Sequence, residues 1–425
     1  MKILYLIHQF YPEYYTGTEK IILNLARMMQ ISGNKVTVIT YSFYKDSSYN
    51  QRIGNILFKE FIYRGIRVIA LRHKKIPKDI NRALDNKDMS KVATDLISLA
   101  KPDVVHVGHP MRVGELVKVL RHLNIPYIIT LTDFFLICPK FTLITSMNTL
   151  CCGPKGGSAC RNLCPEFHHD FITRRLKIAR EILFHAKSVV SLSRFHASMF
   201  KKELQDLEIK IIAHGLRYST LKRNEKNHSK GDRIVFCYTG SLNPHKGVHI
   251  LIDAFKKVCS KSALLKIYGS GSEKSYIDRL MAMAKEDQRI EFCGLYSEEL
   301  VGQIMENVDV IIIPSLWYET YCLVLHEALA CNLPVIASDV GVMSEKIKDG
   351  LNGFLFKMGD LSHLKEVLQK LVDDPTILNT MKHDINRIVI PSVEQEACIY
   401  ERAYDQIVRE AANPTKKIDG LLTFR

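Results

Sequence analysis

Lys2-Ile-Leu-Tyr-Leu-Ile7, a loop from His8 to Glu19, an apolar-striped stretch from about Lys20 to Ile31, a Gly33-Asn34 stop and Val36-Thr-Val-Ile-Thr40 read as strand, loop, helix and second strand. That is a βαβ unit, and the rest of the chain repeats it. Val104-Val-His-Val107, Tyr127-Ile-Ile-Thr-Leu131 and Ser188-Val-Val-Ser-Leu192 are further short apolar runs with helical stretches between them. Runs without polar alternation suit strands covered on both faces, so the expectation is a doubly wound, mainly parallel sheet.

From Leu216 to Asp232 the apolar pattern lapses into basic and polar residues, which reads as a linker. A second series follows at Arg233-Ile-Val-Phe-Cys-Tyr238, Leu264-Leu-Lys-Ile-Tyr268, Ile290-Glu-Phe292, Val310-Ile-Ile-Ile313 and Pro334-Val-Ile-Ala337. The expected organisation is therefore an α/β chain of two facing Rossmann-like domains, residues 1–215 and 233–391, joined by 216–232. Each would present its ligand edge at the carboxyl ends of its strands, with the site in the cleft between them. The segment 392–425 carries one more helix, about Ser392 to Glu410, expected to pack back toward the first domain, and a tail from Ala411 to Arg425.

The length of 425 residues supports two cores, since one domain typically takes ~150. A net charge of +14 favours polyanionic partners such as nucleotides, phosphorylated sugars or anionic membranes. Nucleic acid is disfavoured, because Lys and Arg are scattered rather than interleaved with aromatics on one module. No apolar run reaches the ~18 residues of a membrane span, and Met1 to Ile7 meets polar His8 and Gln9 without a signal-peptide pattern. The expectation is a cytoplasmic protein.

Three glycine loops sit at predicted strand ends. Gly240-Ser-Leu-Asn-Pro-His-Lys-Gly247 precedes a helix starting near Val248, so backbone N–H groups, a helix dipole and the Lys246 charge would meet a diphosphate there. Tyr268-Gly-Ser-Gly-Ser272 and Thr16-Gly-Thr-Glu19 offer small residues where a ligand approaches the backbone. The most informative block is Pro314-Ser-Leu-Trp-Tyr-Glu-Thr-Tyr-Cys-Leu-Val-Leu-His-Glu-Ala-Leu-Ala-Cys-Asn-Leu-Pro-Val-Ile-Ala337. On a helix Glu319 and Glu327 would stand roughly 12 Å apart along the axis, too far for the ~5 to 9.5 Å of a glycosidase pair. The spacing suits two acceptors gripping different hydroxyls of an extended ligand.

This block, with Pro-Ser before it and Pro-Val-Ile-Ala after it, resembles the signature of the family 4 retaining glycosyltransferases of the two-Rossmann-domain (GT-B) type. The Gly17 loop, the Gly240 to Gly247 loop, Gly269-Ser-Gly271, Asp349-Gly-x-x-Gly353 and the closing helix follow in that family's order. The resemblance implies transfer of a sugar from a nucleotide diphosphate sugar, of UDP or GDP type, to a hydroxyl of a glycan or lipid-linked saccharide, with no cofactor for catalysis. It implies that Lys246 neutralises the leaving diphosphate and that Glu319 with Thr320, Tyr321, Cys322 and Leu323 holds sugar and phosphate. Glu327 would accept from the ribose, Gly17, Gly240, Ser241, Gly269 and Gly271 would line the donor path, and Phe292 would meet the base. Two positions depart from the pattern: Ser241 stands where the family commonly has Arg, and Thr132, in Thr130-Leu-Thr-Asp133, where it often has His. The alternatives are a nucleotide-sugar epimerase or sugar-phosphate synthase on the same fold, and a non-catalytic nucleotide-sugar or polyanion binder.

His106, His109 and Asp133 fall at strand ends of the first domain and are candidates for the acceptor side, with core histidines as the competing reading. Eleven cysteines are present; Cys138, Cys151, Cys152, Cys160 and Cys164 are bunched in a glycine-rich stretch, with His168 and His169 just beyond. Their C-x12-C-C-x7-C-x3-C spacing suits a structural zinc or an iron–sulfur cluster, against free thiols or an occasional disulfide. The basic runs Arg72-His-Lys-Lys75 and Arg174-Arg-Leu-Lys177 would attract an anionic membrane surface.

Overall fold

Residues 1–412 are described by a computed structural model, in which the strands form two sheets. The first sheet holds β1 (Lys2–Ile7), β2 (Lys35–Tyr41), β3 (Gln51–Ile53), β4 (Ile56–Tyr63), β5 (Ile66–His73), β6 (Val104–Val107), β7 (Tyr127–Leu131), β8 (Ser188–Ser191) and β9 (Lys210–Ile211). Their order is β3-β4-β5-β2-β1-β6-β7-β8-β9. Ile3 lies beside Val36 on one side and Val104 on the other, both in parallel register, as the βαβ pattern requires. The antiparallel edge β3-β4-β5 is a departure from the sequence reading, which found no strand between 41 and 103. In β4 the outer half alternates partly buried and exposed residues, the mark of an edge strand with one face open.

The second sheet is wholly parallel. Its strands are β10 (Ile234–Thr239), β11 (Ala263–Tyr268), β12 (Ile290–Gly294), β13 (Val310–Ile313), β14 (Val335–Ser338) and β15 (Gly353–Phe356), in the order β12-β11-β10-β13-β14-β15. The two sheets belong to two units: Met1–Leu192, Ala197–His214 and the segment from Val393 form one, Ser193–His196 and Gly215–Ser392 the other. No helix of the described residues is long and apolar enough to cross a membrane.

The first unit is closed by the helix Val393–Ala412. Ala397, Tyr400, Tyr404 and Ile407 enter the same core as Ile3, Tyr5, Val104 and Ile128. Polar groups are buried with them and hydrogen-bonded to one another. Tyr404 Oη meets His106 Nδ1 at 2.5 Å and Tyr5 Oη at 3.3 Å, His106 Nε2 meets Thr130 Oγ1 at 2.8 Å, and Thr130 Oγ1 meets Tyr400 Oη at 2.9 Å. His214 Nδ1 lies 2.9 Å from Glu396 Oε1 on the same helix. His106 is thus a core histidine: burial pushes it down to about 3, it is neutral, and both ring nitrogens are engaged. The acceptor-side expectation for His106 is corrected accordingly.

The stretch 216–232 is also not a free linker. Asn224 is buried in the second unit; its Nδ2 donates to the carbonyl of Val308 at 2.8 Å and its Oδ1 accepts from Lys382 Nζ at 2.7 Å. Buried His228 takes Asn379 Oδ1 at 2.9 Å through its backbone N–H. Of the expected tail, residues 413–425 lie outside the described residues.

Tyr404→Phe keeps the ring but leaves His106 Nδ1 unpaired in the core. The expected loss is about 1–3 kcal/mol in urea unfolding, the cost of a stranded buried polar group; unchanged stability would show that the network holds nothing.

Candidate active site

The functional candidates of the second unit gather at the carboxyl edge of its sheet, where β10, β11, β13 and β14 release their loops. The loops are stacked carbonyl against glycine. A Cβ on Gly269 would lie 1.8 Å from the carbonyl oxygen of Gly240, and one on Gly271 2.1 Å from that of Leu242. Backbone bonds Gly240 N to Tyr268 O (3.1 Å) and Leu242 N to Ser270 O (2.8 Å) extend the strand pairing into the loops. Glycine at 269 and 271 is therefore demanded by loop-on-loop packing.

The turn Pro244–Lys246 is docked in the same way. Gly247 has φ +71°, and a Cβ there would sit 1.9 Å from the Pro314 carbonyl oxygen. This close approach, with Leu316 N donating to His245 O at 2.8 Å, sets Lys246 beside the loop after β13. Lys246 Nζ lies 2.7 Å from Glu319 Oε1, to which Ser315 Oγ and Trp317 Nε1 also donate, each at 2.8 Å. Lys246 Nζ is also 5.0 Å from the Trp317 ring centroid, in cation–π range. Glu319 is buried, which by itself pushes its carboxyl up; Lys246, Trp317 and Ser315 outweigh that and hold it below its ordinary value.

Neighbouring groups respond to this pair. Burial, then Lys246, pushes His245 down to about 4, so it is neutral and its ring packs on Trp317 at 4.4 Å. Burial, then Glu319, pushes the Cys322 thiol up to about 12, so it stays protonated and is no nucleophile. Cys322 holds φ +61° just before the helix Leu323–Ala330, a left-handed conformation costly for a side chain. Its carbonyl accepts from Leu325 N at 3.1 Å and from His326 Nδ1 at 3.1 Å. Tyr321 is buried with its ring stacked 3.9 Å from that of His326, and Thr320 and Leu323 are half-buried. Glu327 is buried in the second turn of the helix, and its charge, after burial, raises the Tyr296 phenol of the loop following β12. Phe292 lies within β12 at the sheet edge, and Ser241 follows Gly240 with its carbonyl accepting from Tyr238 Oη at 2.7 Å.

Sequence reasoning passed over Ser315, Trp317, His245, Tyr296 and Gly341. Trp317 was legible as the only tryptophan, two residues from Glu319. Gly341 was not: it has φ +66° and its Cβ would lie 2.9 Å from the Glu319 carbonyl oxygen, a contact between segments that only the fold brings together. Gly353 of the Asp349-Gly-x-x-Gly353 motif is likewise explained by packing, 2.1 Å from the Val335 carbonyl oxygen.

In the first unit the carboxyl ends of adjacent β1, β6 and β7 carry a second polar cluster. Gly17 is exposed at the start of the helix Gly17–Ile31, and Glu19, fully buried, accepts from Thr16 N at 2.7 Å. His8 Nε2 stands 3.6 Å from Glu19 Oε1, and the His8 ring lies 4.1 Å from that of His109. Burial, then His109 and Arg112, push His8 well down. His109 Nδ1 accepts from Met111 N at 3.2 Å, which assigns the proton to Nε2, 3.0 Å from Asp133 Oδ2. His8 and Glu19 were not singled out in the sequence.

The bunched cysteines are divided by the fold. Cys138, Cys151, Cys160 and Cys164 are buried and line one cavity, whereas Cys152 is exposed. His168 is exposed, at 80% for its side chain, and His169 pairs with Arg161, away from that cavity.

Lys246→Met should cost about 3 kcal/mol, the penalty of stranding a buried carboxylate, and Glu319→Gln added to it should recover most of that. In the native protein the Glu319 contribution is complete above about pH 4.5 and is lost as pH falls through its lower folded value. In Lys246→Met burial is opposed only by Trp317 and Ser315, so the carboxyl rises and the pH dependence should shrink or reverse. Urea unfolding from pH 3 to 8 reads both slopes; parallel curves for the two proteins would deny the coupling.

Comparison with known proteins agrees with this geometry. The profile of Glycosyltransferase Family 4 matches residues 15–219, and that of Glycosyl transferases group 1 matches residues 220–387. The lipopolysaccharide 1,2-N-acetylglucosaminetransferase of Salmonella typhimurium is 28% identical over 217 residues, 48% of this chain and 52% of that protein. The chain thus spans about half the length of the curated relatives it matches. Sucrose-phosphate synthase from Thermosynechococcus elongatus superposes with a TM-score of 0.71 at 16% identity, covering 96% of this chain and all of that one. Anabaena HepE, solved with UDP and glucose, gives 0.67 at 17% identity over 95% of this chain and 99% of its own. Two matching profiles that together run from residue 15 to 387, on two parallel-sheet α/β units of this topology, make the chain a member of the family 4 glycosyltransferases of GT-B fold.

Proposed function

We propose that the protein is a retaining glycosyltransferase that moves a sugar from a nucleotide diphosphate sugar to a hydroxyl of a glycan or lipid-linked saccharide without a catalytic metal. The observation that carries this reading is the Lys246–Glu319 pair at the carboxyl edge of the second sheet. An ammonium has three N–H donors; one goes to Glu319, and the side chain is 22% exposed, so the remaining charge faces an incoming diphosphate. Glu319, ionised and fixed by three donors, would accept from donor-sugar hydroxyls, and the backbone of 320–323 at a helix amino terminus would meet the phosphate. Glu327 would hold the ribose.

In this reading the sugar C1–O bond breaks with its electrons passing to the β-phosphate oxygen, whose charge Lys246 stabilises. The acceptor oxygen bonds C1 on the same face and its proton passes to the departing phosphate. His109 and Asp133 would orient the acceptor. The relatives' names supply the chemical class: the Salmonella protein is an N-acetylglucosaminetransferase, and HepE holds UDP and glucose. A peripheral membrane contact would rest on Lys74, Lys75, Arg174 and Lys177, which are exposed. Arg72, bonded to Asp46, and Arg175, buried, do not contribute.

A thermal-shift screen of nucleotide diphosphate sugars should find one donor that raises Tm by mass action. Released nucleotide with an acceptor present, and the anomeric coupling of the product, then test turnover and retention. A donor that binds without nucleotide release would favour a non-catalytic binder, and an inverted product would exclude the same-face route. Glu327→Gln should raise KM for the donor about tenfold or more, the worth of a charged hydrogen bond, with kcat less affected. Unchanged KM would remove the ribose role.

A further inference from the structure

The loop between β7 and the helix His169–His185 buries Phe134, Phe135, Leu136, Ile137, Leu143 and Phe167, and four cysteines are buried with them. Cys138 lies in a turn, its N–H on Phe134 O at 2.8 Å and its carbonyl accepting from Phe141 N at 2.9 Å. A short hairpin, bridged at Ile144 and Leu150, brings Cys151 back, with Cys151 N on Leu143 O at 2.8 Å. Gly153, Gly156 and Gly157, all with positive φ, turn the chain into the helix Ser158–Leu163, which carries Cys160, and Cys164 follows at its end. The four thiols face one cavity with Leu143 and Phe167 among its walls. Gly153 N lies 3.5 Å from Cys151 Sγ, an N–H···S bond that steadies a sulfur acceptor.

A second observation concerns charge. Arg175 is only 2% exposed, and its guanidinium donates to the carbonyls of Arg82 (2.8 Å), Phe135 and Leu136 (3.5 Å). The acidic groups that act on it are Cys138, Asp133 and Cys160. A buried cation is expensive unless such charges answer it. Its carbonyl partners Phe135 and Leu136 lie in the turn that leads through Ile137 to Cys138, and Cys138 and Cys160 both act on its charge, so the charge stands beside the thiol cavity.

We propose that Cys138, Cys151, Cys160 and Cys164 form a tetrathiolate site for a structural zinc ion, with Cys152 outside it and Arg175 as the nearby compensating cation. Four thiolates around Zn²⁺ leave a net charge of −2, which Arg175 offsets in part. The four thiol protons pass to solvent on binding. As the side chains stand, no three or more His, Cys, Asp or Glu among the described residues are grouped to hold a metal. The four cysteines line one cavity, and an ion bound there would draw their sulfurs together by side-chain rotation. The ion would then tie hairpin, turn and helix together from within.

The test uses the full chain purified without a tag or chelator. Elemental analysis should give about one zinc per chain, retained in Cys152→Ser and lost in Cys160→Ser. Cobalt(II) in its place should give intense thiolate-to-metal charge transfer and tetrahedral d–d bands. If Cys160→Ser does not fold, the wild-type zinc content and cobalt spectrum still decide. Metal-free protein with no cobalt spectrum, iron with a brown colour, or equal zinc loss in Cys152→Ser would each overturn the site as drawn.

Discussion

A carboxylate held away from water at the end of a parallel strand survives only if its charge is answered, and Glu319 organises its surroundings around that need. Burial alone would protonate it; Lys246, Ser315 and Trp317 together keep it ionised. The lysine arrives from a different strand, β10, so the turn that carries it must come within van der Waals distance of the loop after β13. Gly247 permits that approach because the Pro314 carbonyl occupies the place of its missing side chain. One electrostatic requirement therefore fixes a glycine, a turn and the relation between two loops. The packing of both loops thus depends on a single ammonium, that of Lys246.

The first unit solves a different problem. Its last element, the helix Val393–Ala412, comes from the far end of the sequence and buries tyrosines against β1, β6 and β7. Tyr5, Tyr404, His106, Thr130 and Tyr400 form a chain of hydrogen bonds in a core with no water to replace them. An apolar interface would tolerate sliding of the helix by a turn, whereas this chain specifies one register, since any shift strands a donor. Neutral His106 is suited to that duty, because it offers one donor and one acceptor at fixed positions.

Much of this was legible in the sequence, for physical reasons that also mark where reading stops. Val310-Ile-Ile-Ile313 and Val104-Val-His-Val107 are recognisable because a strand covered on both faces has no polar alternation. The Glu319 to Glu327 block is recognisable because two glutamates sit in a mostly apolar strand–loop–helix–strand run. By contrast Asn224 and His228 looked like solvent-facing residues of a polar stretch. Their burial depends on carbonyls and side chains scores of positions away, such as Asn224 with Val308 and Lys382. Arg175 was read as part of a basic surface run for the same reason; it sits on the inner face of its helix, and only the three carbonyls it meets explain it. Composition indicates how polar a segment is, but not whether that polarity has been matched.

His109 and Asp133 illustrate what matching implies for chemistry. An imidazole, that of His109, reaches Asp133 from the adjacent strand end. The Met111 amide takes Nδ1, so the remaining N–H of His109 is aimed at Asp133 and the pair is fixed as a neutral imidazole beside a carboxylate. His8 is stacked on the other side and pushed well down by burial, so it adds no positive charge to the cluster. The positive charge of this cluster comes instead from Arg112, which donates to the His8 carbonyl at 3.3 Å, as Lys246 supplies it at the carboxyl edge of the second sheet.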